Sequence, residues 1–181
     1  DLMQLILGEN LRNVDPSTLS ERFTGWAHGS VIIAIEEIRM NGTNKYQVLD
    51  RIKPFLTNNH IAIEEKGVDH KTVLNFSSYF MLTNYKDALP IVDGDRRYCV
   101  IFSDIQTEDD IYNALGGKYE SECYFTKLFN ETERRADALA AYFHNRKISE
   151  NFPAKGRAPE TSSKSEMTNL TVSPERNDIE N

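Results

Sequence analysis

The sequence predicts an α/β fold with a central, mostly parallel sheet. The main observation is an apolar, β-branched run, Val31–Ile35, which is typical of a strand buried on both faces. Two further apolar runs, Tyr79–Thr83 and Tyr98–Phe102, predict neighbouring strands. Segments with helical apolar spacing lie between and after these runs, as expected when crossover helices join parallel strands.

Several helices are predicted from spacing and capping signals. A first helix carries Leu2, Leu5 and Ile6, and a short strand follows between Asn10 and Val14. A second helix is predicted to begin at Asp15-Pro16 and to carry Leu19, Phe23 and Trp26, and a third, capped by Thr43 or Asn44, to carry Tyr46, Leu49, Ile52 and Phe55. A fourth helix begins at Thr107 and ends at Gly116-Gly117. A long helix is predicted over 119–146. Trp26 is expected to anchor the core rather than to stack on a base.

The segment His60–Phe76 has the alternation of a β-hairpin, with Gly67–His70 as its predicted turn. Lys66, His70 and Lys71 lie near the tip. Taken alone, these charges more often indicate a solvated turn than a binding site. After Ser149 large apolar residues become sparse, so we expect three parts: a core over 1–103, a helical subdomain over 104–149, and a connector or extended tail over 150–181 that includes at most one short helix.

Composition narrows the function classes. The 181 residues carry a net charge of −7, which excludes a broadly basic DNA-coating surface but not a local basic patch. Two cysteines, Cys99 and Cys123, form neither a disulfide framework nor a four-cysteine zinc site, so a reducing compartment is the simpler assumption. No apolar run approaches 18 residues, so no membrane partner is expected.

Polar residues lie where the predicted strands end or begin. Glu36 and Glu37 follow the first run, Asn84 follows the second, and Arg96 and Arg97 precede the third. An acidic pair more often opens a solvated loop. Because ligands bind at the carboxyl ends of strands in open α/β sheets, this set also suits nucleotide hydrolysis. In that chemistry one carboxylate helps to hold hydrated Mg²⁺, the second polarises the attacking water, the amide orients that water, and an arginine neutralises charge in the transition state.

The order of these segments resembles the superfamily-three helicases, AAA+ ATPases of viruses, phages and mobile elements, and is most similar to their phage and plasmid primase-helicase branch. The segments that carry the resemblance are Val31–Glu37 (Walker B), Phe23–Trp26, Arg51–Thr57, Ile61–Lys71 (the DNA-contacting hairpin), Phe80–Asn84 (sensor 1), Asp93–Tyr98 (the arginine-finger segment) and, more weakly, Phe152–Met167 (a linker). The resemblance covers roughly residues 1–103.

This resemblance implies an ATP- and Mg²⁺-dependent DNA helicase that forms a homo-oligomeric ring, a hexamer, around single-stranded DNA. It places Glu36, Glu37, Asn84 and the arginine pair in the ATPase site, and Lys66, His70 and Lys71 on DNA. The implied location is the cytoplasm of a bacterial host.

The sequence departs from the family at one point, since it contains no G-x-x-x-x-G-K-[ST] phosphate loop. The first residues already have helical spacing, so we expect the chain to begin just after that loop and to hydrolyse ATP very poorly by itself. One alternative is a degenerate, non-catalytic AAA+ remnant that serves oligomerisation or replisome contacts. A metal nuclease that uses Glu36 and Glu37 is a further alternative, for which no additional converging ligands are visible in the sequence.

Overall fold

The computed structural model describes residues 2–40, 45–152 and 156–171. It divides into two units. The sheet unit comprises the described residues of 9–101 and 156–171, and the helical unit comprises those of 2–8 and 102–152. Both are described below within those limits, and the predicted three-part division of the chain stays a prediction. No helix in the described ranges is long and apolar enough to cross a membrane.

The sheet unit contains a three-stranded parallel sheet in the order β1-β2-β5. Its strands are β1 (Leu11–Asn13), β2 (Ile32–Ile35) and β5 (Ser78–Met81). The predicted parallel sheet is therefore confirmed, with the apolar run as its central strand. Ile33 and Ile35 are fully buried, which accounts for the uninterrupted apolar sequence of β2.

Helix α2 (Lys45–Thr57) and a two-stranded hairpin lie between β2 and β5 in the chain. Leu49, Ile52 and Phe55 of α2 are buried, as their spacing predicts, and Pro54 lies in the last turn. The predicted caps Thr43 and Asn44 lie outside the described residues. The hairpin strands are β3 (His60–Glu65) and β4 (Val68–Leu74), and its turn is Lys66-Gly67 rather than Gly67–His70, because Glu65 already pairs with Val68.

Two predicted elements of the sheet unit are wrong. The helix expected over Asp15–Trp26 is replaced by two 3₁₀ turns, Pro16–Ser20 and Gly25–Ala27. The Asp15 cap forms as predicted, but Glu21 in extended conformation ends the first turn. The third strand, Tyr98–Phe102, does not form. Of its residues only Tyr98 is buried, while Ile101 is 80% exposed, and no strand in the described part of the chain pairs with the segment.

The end of the described chain returns to the sheet unit. Helix α6 (Ser162–Thr171) buries Lys164 and Met167. The sequence allowed one short helix here but contained no indication that it would pack on the core.

The helical unit contains α1 (Leu2–Leu7), α3 (Glu108–Leu115), α4 (Lys118–Arg134) and α5 (Ala136–Asn145). At the predicted helix start, Thr107 and Asp110 form a capping box, and Gly116 and Gly117 separate α3 from α4 with positive φ angles of 93° and 136°. The predicted long helix is wrong, because Arg135 (φ −115°, ψ 22°) interrupts it between α4 and α5.

Candidate functional site

The carboxyl ends of the three parallel strands lie side by side. The register pairs Asn13 with Ala34 and Ile35 with Met81. Beyond the strands, the backbone N–H of Val14 donates to the carbonyl of Ala34 (2.8 Å) and that of Ile38 donates to the carbonyl of Leu82 (3.0 Å). Polar residues that follow the strands are therefore brought to one edge of the sheet.

Glu36 and Glu37 follow β2 at this edge, and both are exposed. They line an open groove of about 560 Å³ together with the residues that follow β1, namely Asn13, Val14, Asp15 and Pro16. Glu37 is the only non-glycine residue with a positive φ (54°) in the described part of the chain. The sharp turn at Glu37 lets the chain return to β5 through Ile38, so it keeps the acidic pair at the strand end.

Asp15 adds a third carboxylate to the groove. Its Oδ1 accepts hydrogen bonds from the backbone N–H (2.8 Å) and the hydroxyl (2.5 Å) of Ser17. These bonds, chiefly the one from the hydroxyl, lower the pKa of Asp15 below its ordinary value. The sequence identified Asp15 only as a helix cap. Its position directly after the first strand was the signal that could have placed it at the site.

Asn84 follows β5 and is exposed. Because Ile35 pairs with Met81, Asn84 belongs to the same sheet edge as Glu36 and Glu37. Nearby in the chain, the guanidinium of Arg39 lies 3.8 Å from the centre of the Tyr85 ring and 3.7 Å from the carboxylate of Asp87. This cation is the nearest along the chain to the acidic pair, and it was not among the residues predicted for the site.

Arg96 and Arg97 lie in the turn after Gly94, as predicted, but this turn does not lead into a sheet strand. Arg97 Nη1 donates to Asp95 Oδ2 (2.9 Å), and the backbone N–H of Arg97 donates to Asp95 Oδ1 (2.7 Å). The described bonds of the pair involve its own turn and residues near Ala158. Within the described ranges, no hydrogen bond or ion pair joins the arginines to Glu36, Glu37 or Asn84.

The three predicted DNA-binding residues of the hairpin differ in their side-chain partners. Lys71 Nζ lies 3.2 Å from both carboxylate oxygens of Glu65, and His70 Nε2 lies 3.7 Å from Glu64. Lys66 is exposed in the turn and has no side-chain partner in the described part of the chain. The sequence could not show that two of its three candidate residues face acids of the same hairpin.

The described residues contain no group of three or more His, Cys, Asp or Glu side chains placed to hold a metal ion. Cys99 and Cys123 are both free and exposed. A protein-only metal cage is therefore not formed by the described residues, whereas Mg²⁺ in nucleotide sites needs only one or two carboxylates together with substrate phosphates.

The class of the chain follows from its similarity to known sequences. The profile of a family of unknown function, DUF5906, matches residues 2–97, which include the whole strand-end edge. The chain belongs to this family.

The particular relatives come from one phage. The chain is 24% identical over 150 residues to a DNA primase-polymerase of Nitratiruptor phage NrS-1, and this match covers 82% of the chain but 19% of the relative. The apo structure of the NrS-1 C-terminal region superposes with a TM-score of 0.73 at 20% identity, covering 96% of this chain and 39% of that one. A second apo structure of this region, the A form, gives 0.66 at 18% identity, covering 99% and 39%. The chain therefore shares the fold of part of that region.

Proposed function

We propose that the chain is the nucleotide-hydrolysing part of a phage-type DNA replication protein, and that the whole protein couples Mg-ATP hydrolysis to DNA unwinding. The observation that carries the proposal is the acidic pair Glu36-Glu37 at the carboxyl end of the central parallel strand, with Asn84 in the segment that follows the neighbouring strand. Similarity to a phage DNA primase-polymerase supports the replication context.

In this proposal the two carboxylates have different chemical roles. Glu36 would hold Mg²⁺, in part through water, and the ion would supply charge neutralisation on the phosphates. Glu37 would accept a proton from the attacking water, and the Asn84 amide would orient that water. Glu36 and Glu37 suit these tasks because they are exposed along an open groove rather than held in ion pairs with described residues.

The phosphate-binding half of such a site is not encoded within the 181 residues, which contain no G-x-x-x-x-G-K-[ST] loop. The sheet has room for a further strand, since β5 is an edge strand among the described residues and its own Phe80 is 51% exposed. Exposed strand edges with apolar side chains favour pairing with another strand. We propose that the rest of the whole protein supplies this strand and its phosphate loop.

Two further parts of the proposal concern partners. The hairpin would contact the backbone of single-stranded DNA through Lys66, with Lys71 and His70 beside it. The whole protein would form a homo-oligomeric ring, a hexamer, in which Arg96 or Arg97 reaches the nucleotide of the neighbouring subunit.

The test is steady-state hydrolysis of Mg-ATP by the whole protein. Glu37→Gln should lower kcat by about 100-fold or more while ATP binding persists, because a positioned general base contributes about that much. Glu133→Gln, an exposed change in α4, is the matched control and should leave kcat unchanged. Normal turnover in Glu37→Gln would overturn the assignment. Failure of the unaltered whole protein to hydrolyse ATP would instead favour the non-catalytic interpretation.

A further inference from the structure

The turn that carries the arginine pair is held by a segment far away in the chain. We name residues 156–171 the strap. Within it, the backbone N–H of Ala158 donates to the carbonyl of Arg96 (2.8 Å) and Arg157 Nη2 donates to the carbonyl of Gly94 (3.3 Å). On both sides of the turn, the hydroxyls of Thr161 and Thr171 donate to the carbonyls of Val100 (2.5 Å) and Ile91 (3.4 Å).

The strap also places a buried cation against this turn. Lys164 is 2% exposed, and its Nζ donates to the carbonyl of Asp95. Its one carboxylate partner among the described residues is Glu160, at 3.2 Å, which is half exposed. Burying an ammonium group is unfavourable unless its donors are satisfied. Lys164 therefore stabilises this turn through a directed bond rather than through apolar packing alone.

The side chains of the two arginines differ in exposure and in their contacts within the turn. Arg97 folds back onto the buried carboxylate of Asp95 and is only partly exposed. Arg96 has its backbone carbonyl held by the strap, while its side chain is exposed and has no partner in the described part of the chain. Exchanging their roles would require breaking the Asp95–Arg97 pair.

We propose that the strap presents Arg96, and not Arg97, to a phosphate group of a nucleotide bound by another molecule. Arg97 braces the turn through Asp95, and Lys164 is the positioning residue that fixes the Asp95 backbone. This assignment rests on the proposed ATPase function, whereas the bracing of the turn by Lys164 is a property of the chain itself and is testable without ATP.

The first experiment measures amide hydrogen exchange of residues 93–98 and the rate of tryptic cleavage at Arg96 and Arg97 in the 181-residue chain. Lys164→Met should accelerate both by about tenfold, since it removes one buried hydrogen bond from a charged group. Lys127→Met, an exposed change in α4, should alter neither. Unchanged Trp26 fluorescence would show that the sheet unit stays folded. Equal exchange and cleavage in Lys164→Met and the unaltered chain would overturn the positioning role.

The second experiment compares Mg-ATP hydrolysis by whole-protein variants. Arg96→Ala should lower kcat by about 1000-fold at unchanged KM, the loss typical of an arginine that stabilises a transferring phosphoryl group. Arg97→Ala and Lys164→Met should lower kcat less, also at unchanged KM. A larger loss in Arg97→Ala than in Arg96→Ala would overturn the assignment. If Glu37→Gln hydrolyses ATP normally, the proposed function fails, and the exchange result still decides the role of Lys164.

Discussion

At Glu37 the backbone adopts a conformation that glycine tolerates better than glutamate. Its φ of 54° lies in the left-handed region, where a side chain costs about 1–2 kcal/mol. The turn is needed there because Ile38 must return to bond with Leu82. A carboxylate at such a position is consistent with the proposed use of Glu37 in chemistry, because local strain concentrates at functional sites.

Glu37→Gly is therefore expected to raise the free energy of unfolding by about 1 kcal/mol. Urea denaturation followed by fluorescence of Trp26, the single tryptophan, reports on the sheet unit. Glu36→Gly is the matched control and should not stabilise, because Glu36 has no positive φ. A loss of stability in Glu37→Gly would show that the carboxylate makes a stabilising interaction that outweighs the backbone cost.

Within the sheet unit, the hairpin contacts the segment Thr24–Trp26. The N–H of Thr24 donates to the carbonyl of Glu64 (2.8 Å), and the Glu64 N–H donates to the Thr24 hydroxyl (2.9 Å). A Cβ on Gly25 would lie 2.9 Å from Cγ of Glu65. Trp26 packs on Phe55 with ring centres 5.4 Å apart, and thus contributes to the core as predicted. The segment therefore holds the end of β3 at Glu64 and Glu65.

Thr24→Val should lower the free energy of unfolding by about 1–3 kcal/mol, because it leaves the partly buried Glu64 N–H without its acceptor. Thr24→Ser retains the hydroxyl and should lose clearly less. The measurement is again urea denaturation followed by Trp26 fluorescence. If valine were as stable as threonine, the bond would not be contributing to hairpin attachment.

The hairpin charges predict unequal roles on DNA. Lys66 has no described partner, whereas Lys71 is already paired with Glu65. In salt-dependent binding of single-stranded DNA by the whole protein, Lys66→Ala should reduce the slope of log K against log salt by about 0.7 for each phosphate that is no longer neutralised. Lys71→Ala should change the slope by less than half as much. Equal changes would mean that the Lys71–Glu65 pair opens on DNA.

Local sequence signals predicted the elements whose burial pattern is either uninterrupted or periodic. The strand β2 follows from its continuous apolar run, whereas helix α2 and the inward-facing Ile61 and Ile63 of the hairpin follow from their spacing. The strand prediction for Tyr98–Phe102 was wrong because an apolar run cannot show whether a neighbouring strand is available. The break at Arg135 has no proline or glycine to mark it, so α4 and α5 were merged.

The candidate site was predictable only in its strand-end part. Parallel pairing brings Glu36, Glu37 and Asn84 to one edge, and strand order along the chain suffices to expect this. Asp15 in the groove and Lys164 under the turn depend on tertiary contacts between residues distant in the chain. A buried lysine in a polar, serine-rich segment has no periodic apolar pattern that would reveal it.

For the whole molecule, the two units differ in how they bury apolar surface. The sheet unit encloses Ile33, Ile35, Ile52, Ile63 and Ile91 almost completely. Among the described residues of the helical unit no apolar side chain is buried, and Ser121 is the one buried residue of α4. Tyr119 and Phe129 of α4 are 73% and 64% exposed. Without an enclosed core, the stability of these helices comes mainly from hydrogen bonds within each helix and from contacts between partly exposed side chains.

We therefore expect amide hydrogen exchange in the 181-residue chain to separate the units. The amides of α4 and α5 should exchange about 100-fold faster than those of β2 and α2, because opening the helical unit exposes little buried apolar surface. The exposed aromatic faces also predict that α4 and α5 exchange more slowly in the whole protein, where further protein surface is available to cover them. Mass spectrometry of peptic peptides measures both ratios, with β2 as the internal reference. Protection of α4 equal to that of α2 in the 181-residue chain would contradict the prediction and would require the helical unit to be stabilised by contacts other than a buried apolar core.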